Sequence, residues 1–176
     1  MKKSTILIIF IVYLASIVAI GFFGMSSKVY DEVKYVSAIT VEAQVENENM
    51  RDFEDITANP TSKKKEYLLI VYFDNGIEYE TGKFYVPISL TPYVVYDTGD
   101  VANSKEVSIV YYGDSKKSQK DNDGNITFKQ SNKTIATLTK FGSLSCFSRD
   151  AGFDIMIKPA KEGSSEVSVT IHVAVI

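Results

Sequence analysis

The apolar positions of this chain change their spacing once, near Met25. Before that point they run on without a break. From Thr5 to Gly24 there are 20 residues and no charge. As a helix rising 1.5 Å per residue, such a run covers about 30 Å, the thickness of a bilayer's hydrocarbon core. A core helix of a globular protein carries a polar face, and this run has none. Lys2 and Lys3 precede it, and no acidic residue occurs before Asp31. Positive charge on the short leading side keeps that side in the cytoplasm and sends the rest out. A cleavable secretory signal shares this polarity but has a shorter apolar core, about 7–15 residues, ending in a small-x-small site. The exits available are Ala19-Ile20-Gly21 and Gly24-Met25-Ser26. The length favours an anchor that stays. The pattern therefore predicts one transmembrane helix within residues 1–27 and an extracytoplasmic part over 28–176.

Beyond Met25 the apolar period becomes two. Val33, Tyr35, Ile39, Val41, Ala43 and Val45 alternate with Lys34, Thr40, Glu42 and Gln44, the mark of a half-covered strand. Residues 46–65 are polar and charged and predict a long surface loop, with a helical turn near Met50–Ile56. Tyr67–Phe73 is apolar on both faces, as in a central strand. Asn75-Gly76 between apolar runs predicts a tight hairpin with Gly76 at positive φ and a return strand from Ile77 towards Val86. Pro87 and Pro92 bracket Ile-Ser-Leu-Thr and predict an edge strand or a bend there. Further strands are expected at Glu106–Tyr112, Ile126–Lys129, Thr134–Phe141 and Ser143–Ser148, with Gly142 between the last two. Phe153, Ile155 and Ile157 form another alternating set. So do Val167, Val169, Ile171, Val173 and Val175, whose strict phase sends His172 to the opposite face. Many short strands with turn residues between them predict an all-β, antiparallel β-sandwich.

Charge narrows the partners. The whole chain carries −3; without Lys2 and Lys3 it has 17 basic against 22 acidic residues, or −5. Such a balance does not read as that of a nucleic-acid binder, which needs a basic stripe, and it gives no polybasic patch for anionic lipid. One cysteine, Cys146, excludes an intrachain disulfide, so the core alone must hold an exported domain. Tyrosine (11) and phenylalanine (10) supply all the aromatics, since tryptophan is absent. Tyr67, Tyr72, Tyr79, Tyr85, Tyr93, Tyr96, Tyr111 and Tyr112 are candidates for a stacking platform, set against the plainer role of filling the core and its edges.

The segment Ile135-Ala136-Thr137-Leu138, followed by Gly142, Gly163 and the strand Val167–Val173, resembles the C-terminal half of bacterial immunoglobulin-like (Big-type) surface domains. Upstream, Ile88–Ser115 is similar to that family's second and third strands, with Pro92 in place and Tyr111 or Tyr112 where the family usually has tryptophan. The resemblance covers about half of the chain; the segment 46–65 and Asn75-Gly76 are not part of it. It implies an Ig-like sandwich and an extracytoplasmic module acting as a stalk, an adhesive surface or a sugar-binding unit, with no shared catalytic site.

Residues for catalysis are scarce. His172 is the single histidine, and its strand neighbours Thr170 and Ala174 supply no orienting carboxylate. One histidine excludes a blue-copper site and leaves structural zinc short of ligands. Cys146 alternates with Leu144 and Ser148 and reads as a small buried hydrophobe. Asp121-Asn122-Asp123-Gly124-Asn125 gathers oxygen side chains, but its glycine is fourth and no acid follows at the twelfth place, so the calcium-loop spacing is not met. A glycine turn explains it more simply; calcium shared with Asp97 or Asp100 stays as the lesser reading. Asn125-Ile126-Thr127 and Asn132-Lys133-Thr134 match the glycan-acceptor pattern. No motif singles out a carboxylate pair for glycoside hydrolysis. The expectation is a non-enzymatic binding or structural module of the cell envelope, without cofactor or metal. It would be held by its N-terminal helix, with an envelope protein or polysaccharide as partner and no nucleic acid. An exported carbohydrate-active hydrolase with a carboxylate pair is the alternative.

Overall fold

In the computed structural model the structure describes residues 35–46, 48–73, 77–80, 83–103, 109–114, 116–160 and 166–176. The expected membrane segment at 1–27, Asn75-Gly76 and Gly163 lie outside the described residues. Among the described residues no helix is long and apolar enough to cross a membrane.

Fourteen strands account for most of the described chain. They are β1 (Val36–Val45), β2 (Glu48–Asn49), β3 (Phe53–Asp55), β4 (Lys64–Val71), β5 (Ile77–Glu80), β6 (Lys83–Tyr96) and β7 (Val101–Asn103). The second half adds β8 (Ile109–Gly113), β9 (Ser118–Lys120), β10 (Ile126–Gln130), β11 (Lys133–Leu138), β12 (Ser143–Cys146), β13 (Ala151–Pro159) and β14 (Ser168–Val175). One sheet, here sheet A, runs β2-β1-β6-β12-β11-β10-β9, with β5 and β7 also paired to β6. The other, sheet B, runs β3-β4-β14-β13-β8. Alternate residues of both sheets point into one shared core: Ile39, Val41, Ile88, Leu90, Ile126, Phe128 and Leu144 from sheet A, and Leu69, Tyr111, Ile155, Ile157, Val169 and Ile171 from sheet B. The molecule over these residues is an all-β sandwich. Phe128 and Phe153 meet across its middle with ring centroids 4.3 Å apart.

The alternation read from the sequence holds where it is strict. Val167, Val169, Ile171, Val173 and Val175 are all buried, and His172 lies on the other face. Ile39, Val41 and Ala43 fill the core from β1 in the same way.

Four expectations change. The segment 46–65 is not a plain loop with a helical turn: β2 pairs with β1, and β3 pairs with β4. Phe53 on β3 lies flat on Tyr67, with centroids 4.9 Å apart and planes 5° from parallel. A three-residue strand is too short for periodicity to reveal. Second, no hairpin joins the runs on either side of Asn75-Gly76. β4 belongs to sheet B, whereas β5 pairs with β6, with Thr81 and Gly82 between them in sequence. The chain changes sheets between β4 and β5.

Third, the proline-flanked piece is neither an edge nor a bend. β6 is the strand to which β1, β12, β5 and β7 all bond. Its prolines sit where a missing N–H costs least. In an antiparallel ladder successive residues turn their polar groups to alternate sides. Leu90 donates to the Gly142 carbonyl on the β12 side, so Pro92 faces that side and Pro87 faces β1. Pairing with β12 ends at Ser89 and pairing with β7 begins at Tyr93, which leaves Pro92 between the two ladders. Pairing with β1 ends at Ser89, so Pro87 lies beyond it.

Fourth, one ladder is parallel. β4 and β14 run side by side in the same direction over eight matched positions, from Lys64 beside Ser168 to Val71 beside Val175. Alternation fixes which side chains are buried; it carries no information on the direction of the neighbouring strand.

Candidate ligand-binding face

Sheet A turns its outer side chains to solvent, and five of them form a continuous row across five strands. Pro87 on β6 lies beside Ser145 on β12, Ser145 beside Thr137 on β11, Thr137 beside Thr127 on β10, and Thr127 beside Gln119 on β9. Their strand neighbours Ile88, Leu144, Cys146, Leu138, Ala136, Ile126 and Phe128 are buried, so period two sends the row outward. At one strand spacing per step it spans about 19 Å. Ser89 and Ser143 pair in the same face beside it. Tyr85 and Phe147 form an aromatic edge, with rings 6.4 Å apart and tilted by 36°. Further along β6, the Tyr93 hydroxyl donates to Glu42 at 3.1 Å, and this bond raises the phenol's pKa above its ordinary value.

The row ends at a groove. Lys116, Lys117, Ser118, Gln119, Lys129, Gln130, Ser131, Asn132 and Gly152 enclose a volume of about 910 Å³. Local geometry sets its walls. Asp114 takes the backbone N–H of Lys116 on its carboxylate, and its carbonyl takes those of Lys117 and Ser118. This closes the turn that presents the two lysines. Opposite, Gln130 pairs with Lys133 around Ser131 and Asn132, whose φ values are 49° and 65°. That is a two-residue turn with both central residues left-handed, matched to the twist of the strands. Lys129 donates from Nζ to the Gln119 side-chain oxygen at 3.1 Å, which joins groove and row. Among the described residues, none of Lys116, Lys117 and Lys129 is in an ion pair, and no acidic residue lines the groove.

A second, smaller recess of about 330 Å³ is lined by Glu46, Glu48, Arg51, Asp52, Asn49 and Tyr72, among others. Glu46 and Glu48 are exposed.

The other sequence candidates fall as follows. His172 Nδ1 is 2.9 Å from an Asp154 carboxylate oxygen, and both side chains are substantially exposed. The orienting carboxylate that β14 lacks thus comes from β13, where Asp154 lies beside His172 in register. Cys146 is fully buried as a free thiol, and burial pushes its pKa up to about 12, so it is inert at neutral pH. In the 121–125 turn, Asp121 accepts from the side chain of Asn125 and from the backbone N–H groups of Asn125 and Asp123. These bonds, led by the Asn125 amide, hold its carboxyl below the usual range. Gly124 takes φ +87° there. The Asp121 carboxylate thus serves its own turn, and among the described residues no three or more His, Cys, Asp or Glu side chains are grouped so as to hold a metal ion.

Among the tyrosines whose side chains are described, which leaves out Tyr79, no single platform forms. Tyr67 and Tyr111 are core residues; Tyr72 and Tyr112 are exposed; Tyr85 and Tyr93 stand eight residues apart on β6. Tyr112 lies on the outer face of sheet B with Lys120 and Lys158 over its ring, at 5.1 and 5.8 Å. The groove itself escaped sequence reading. Its lysines are scattered across a turn and a strand, within a chain whose overall charge is negative. Lys116-Lys117 was the one visible sign.

Compared with protein-family models, with curated proteins and with solved structures, the chain matches none. Its fold and this face define its class, an all-β sandwich bearing an open polar face and a lysine-lined groove.

Proposed function

We propose that this protein is a non-catalytic binding or structural module of the cell envelope. It is held in the membrane by a single helix within residues 1–27, with its N-terminus in the cytoplasm and its sandwich outside. The sandwich is read as Ig-like, on the resemblance of Ile135–Leu138, Gly142 and Val167–Val173 to bacterial Ig-like domains. The observation that carries the binding role is the solvent-facing row Pro87–Ser145–Thr137–Thr127–Gln119 leading into the groove. A flat, hydroxyl-lined surface suits an extended partner better than it suits a reacting small molecule held away from water. The location rests on the 20 uncharged residues behind Lys2 and Lys3.

The test is fractionation of the full chain in cells. The protein should stay with the membrane pellet after an alkaline carbonate wash, keep Met1 or Lys2 at its start, and be open to protease added from outside. Recovery from the medium with a new N-terminus at Phe22 or Ser27 would replace the anchor with a cleaved signal.

A further inference from the structure

We infer that the groove and the row beside it bind an anionic polysaccharide, a sugar polymer carrying spaced carboxylate or phosphate groups. The inference rests on the binding-module reading and names the ligand class for that face. Three observations carry it. The first is charge. Lys116, Lys117 and Lys129 line one groove, no carboxylate lines it, and none of the three is neutralised by an ion pair among the described residues. In a chain with net charge −3, a groove with three unopposed ammonium groups is a local reversal of sign. It attracts anions.

The second is the chemistry of the remaining lining. Gln119, Gln130, Asn132, Ser118 and Ser131 offer amides and hydroxyls, which donate and accept equally. Sugar hydroxyls need partners of both kinds. A purely ionic ligand needs donors alone.

The third is continuity. Lys129 bonds to Gln119, and Gln119 is the last member of the row that runs through Thr127, Thr137 and Ser145. A chain with its charged groups in the groove can continue over about 19 Å of hydroxyls across the strands. Single-stranded nucleic acid would also meet lysines. It would look for aromatic rings within the charged groove to stack its bases, and among the described residues no aromatic side chain lines this one.

The test uses the full chain in mild detergent and measures binding by calorimetry. The probes are polygalacturonate, a phosphorylated mannan, neutral dextran, inorganic polyphosphate and a single-stranded oligonucleotide. At least one anionic polysaccharide should bind, more weakly as salt rises, and neutral dextran should bind far less. The triple variant K116Q/K117Q/K129Q should weaken that binding by roughly tenfold or more. T127V/T137V should weaken the polysaccharide and leave polyphosphate unchanged. Both variants alter solvent-facing side chains, and their unfolding midpoints should match the parent's. Three results would overturn the inference: no binding of either anionic polysaccharide, equal binding by the triple variant, or polyphosphate or oligonucleotide binding as tightly as the sugars with T127V/T137V without effect. The fractionation experiment fails separately. A secreted protein that binds polygalacturonate loses only its anchor, and an anchored protein that binds neither sugar loses only this ligand.

Discussion

At the scale of single residues, Gly142 is the most constrained position in the described chain. Its φ is +87°, and its carbonyl receives the Leu90 N–H at 2.9 Å. A Cβ there would stand 2.2 Å from the Leu90 carbonyl oxygen and 2.6 Å from the Tyr111 hydroxyl. Backbone atoms cannot step aside as a flexible side chain would. Gly142→Ala should therefore cost more than the usual penalty of about 1 kcal/mol for a left-handed alanine, on the order of 3 kcal/mol in denaturant unfolding. A loss under about 1 kcal/mol would mean that the turn can open without disturbing β6. Ile171 is a test of a different kind. It is fully buried between Ile155 and Tyr67 in register, so Ile171→Ala should lose about 3 kcal/mol through transfer and cavity. Its neighbour His172 faces outward and holds only an exposed pair with Asp154. His172→Ala should change stability by less than about 1 kcal/mol. The contrast checks the register of β14, because a one-residue slip would exchange the two outcomes.

At the scale of elements, β6 shows how a strand with two prolines becomes the centre of a sheet. Pro87 and Pro92 occupy positions that the flanking ladders leave free, so the composition that argues for an edge is compatible with pairing to four strands. The β10–β11 hairpin shows the reverse, a turn made with residues that are not the best for it. Ser131 and Asn132 both have positive φ. Asparagine tolerates that region, whereas serine gains little there. Ser131→Asn should stabilise by about 0.5 kcal/mol, and Ser131→Val should destabilise by about 1–2 kcal/mol, because a β-branched side chain is strained at positive φ. Thermal unfolding of the two variants should move in opposite directions. Movement in the same direction would mean that the turn has another form in solution. The same hairpin forms one wall of the lysine groove, so its stiffness also sets the shape of the candidate site.

At the scale of the whole molecule, two of the core's ionisable groups, Cys146 and Tyr111, matter only in alkali. Burial pushes the Cys146 thiol up to about 12 and raises the Tyr111 phenol well above its ordinary value. Both therefore keep their protons in the folded protein at pH values where the unfolded chain releases them. The linked stability is complete below the ordinary thiol value of 9.0 and is lost as pH rises towards the folded values. Unfolding free energy should accordingly fall steadily above about pH 9. Tyr111→Phe should make the fall shallower above the ordinary phenol value of 10.0. At neutral pH it should change little, because the Tyr111 hydroxyl reaches the Leu90 carbonyl only at 3.5 Å. Denaturant titrations of parent and variant across this range would check it, and parallel curves would remove Tyr111 from the linkage.

The sequence by itself determined the fold class and the inward face of its regular strands. Strict alternation in Val167–Val175 and in Ile39–Val45 leaves one face apolar, and an apolar face has to be buried. The period also placed Cys146 in the core and His172 outside it. Gly142 was visible as a turn because glycine between two apolar runs has few other uses. Partner and direction were decided only in three dimensions. Nothing local to Lys64–Val71 says that it runs parallel to Ser168–Val175, 97 or more residues away in the chain, or that β4 and β5 belong to different sheets. The prolines of β6 could be judged only once the ends of β1, β7 and β12 were known. The candidate site belongs to this second group. Thr127, Thr137 and Ser145 become a row because hydrogen bonding aligns three strands, and Lys116, Lys117 and Lys129 become a groove because a turn and a strand meet. Periodicity reports whether a residue faces oil or water, since burial acts on each side chain separately; a binding surface is a relation between residues, and the pairing of strands creates it.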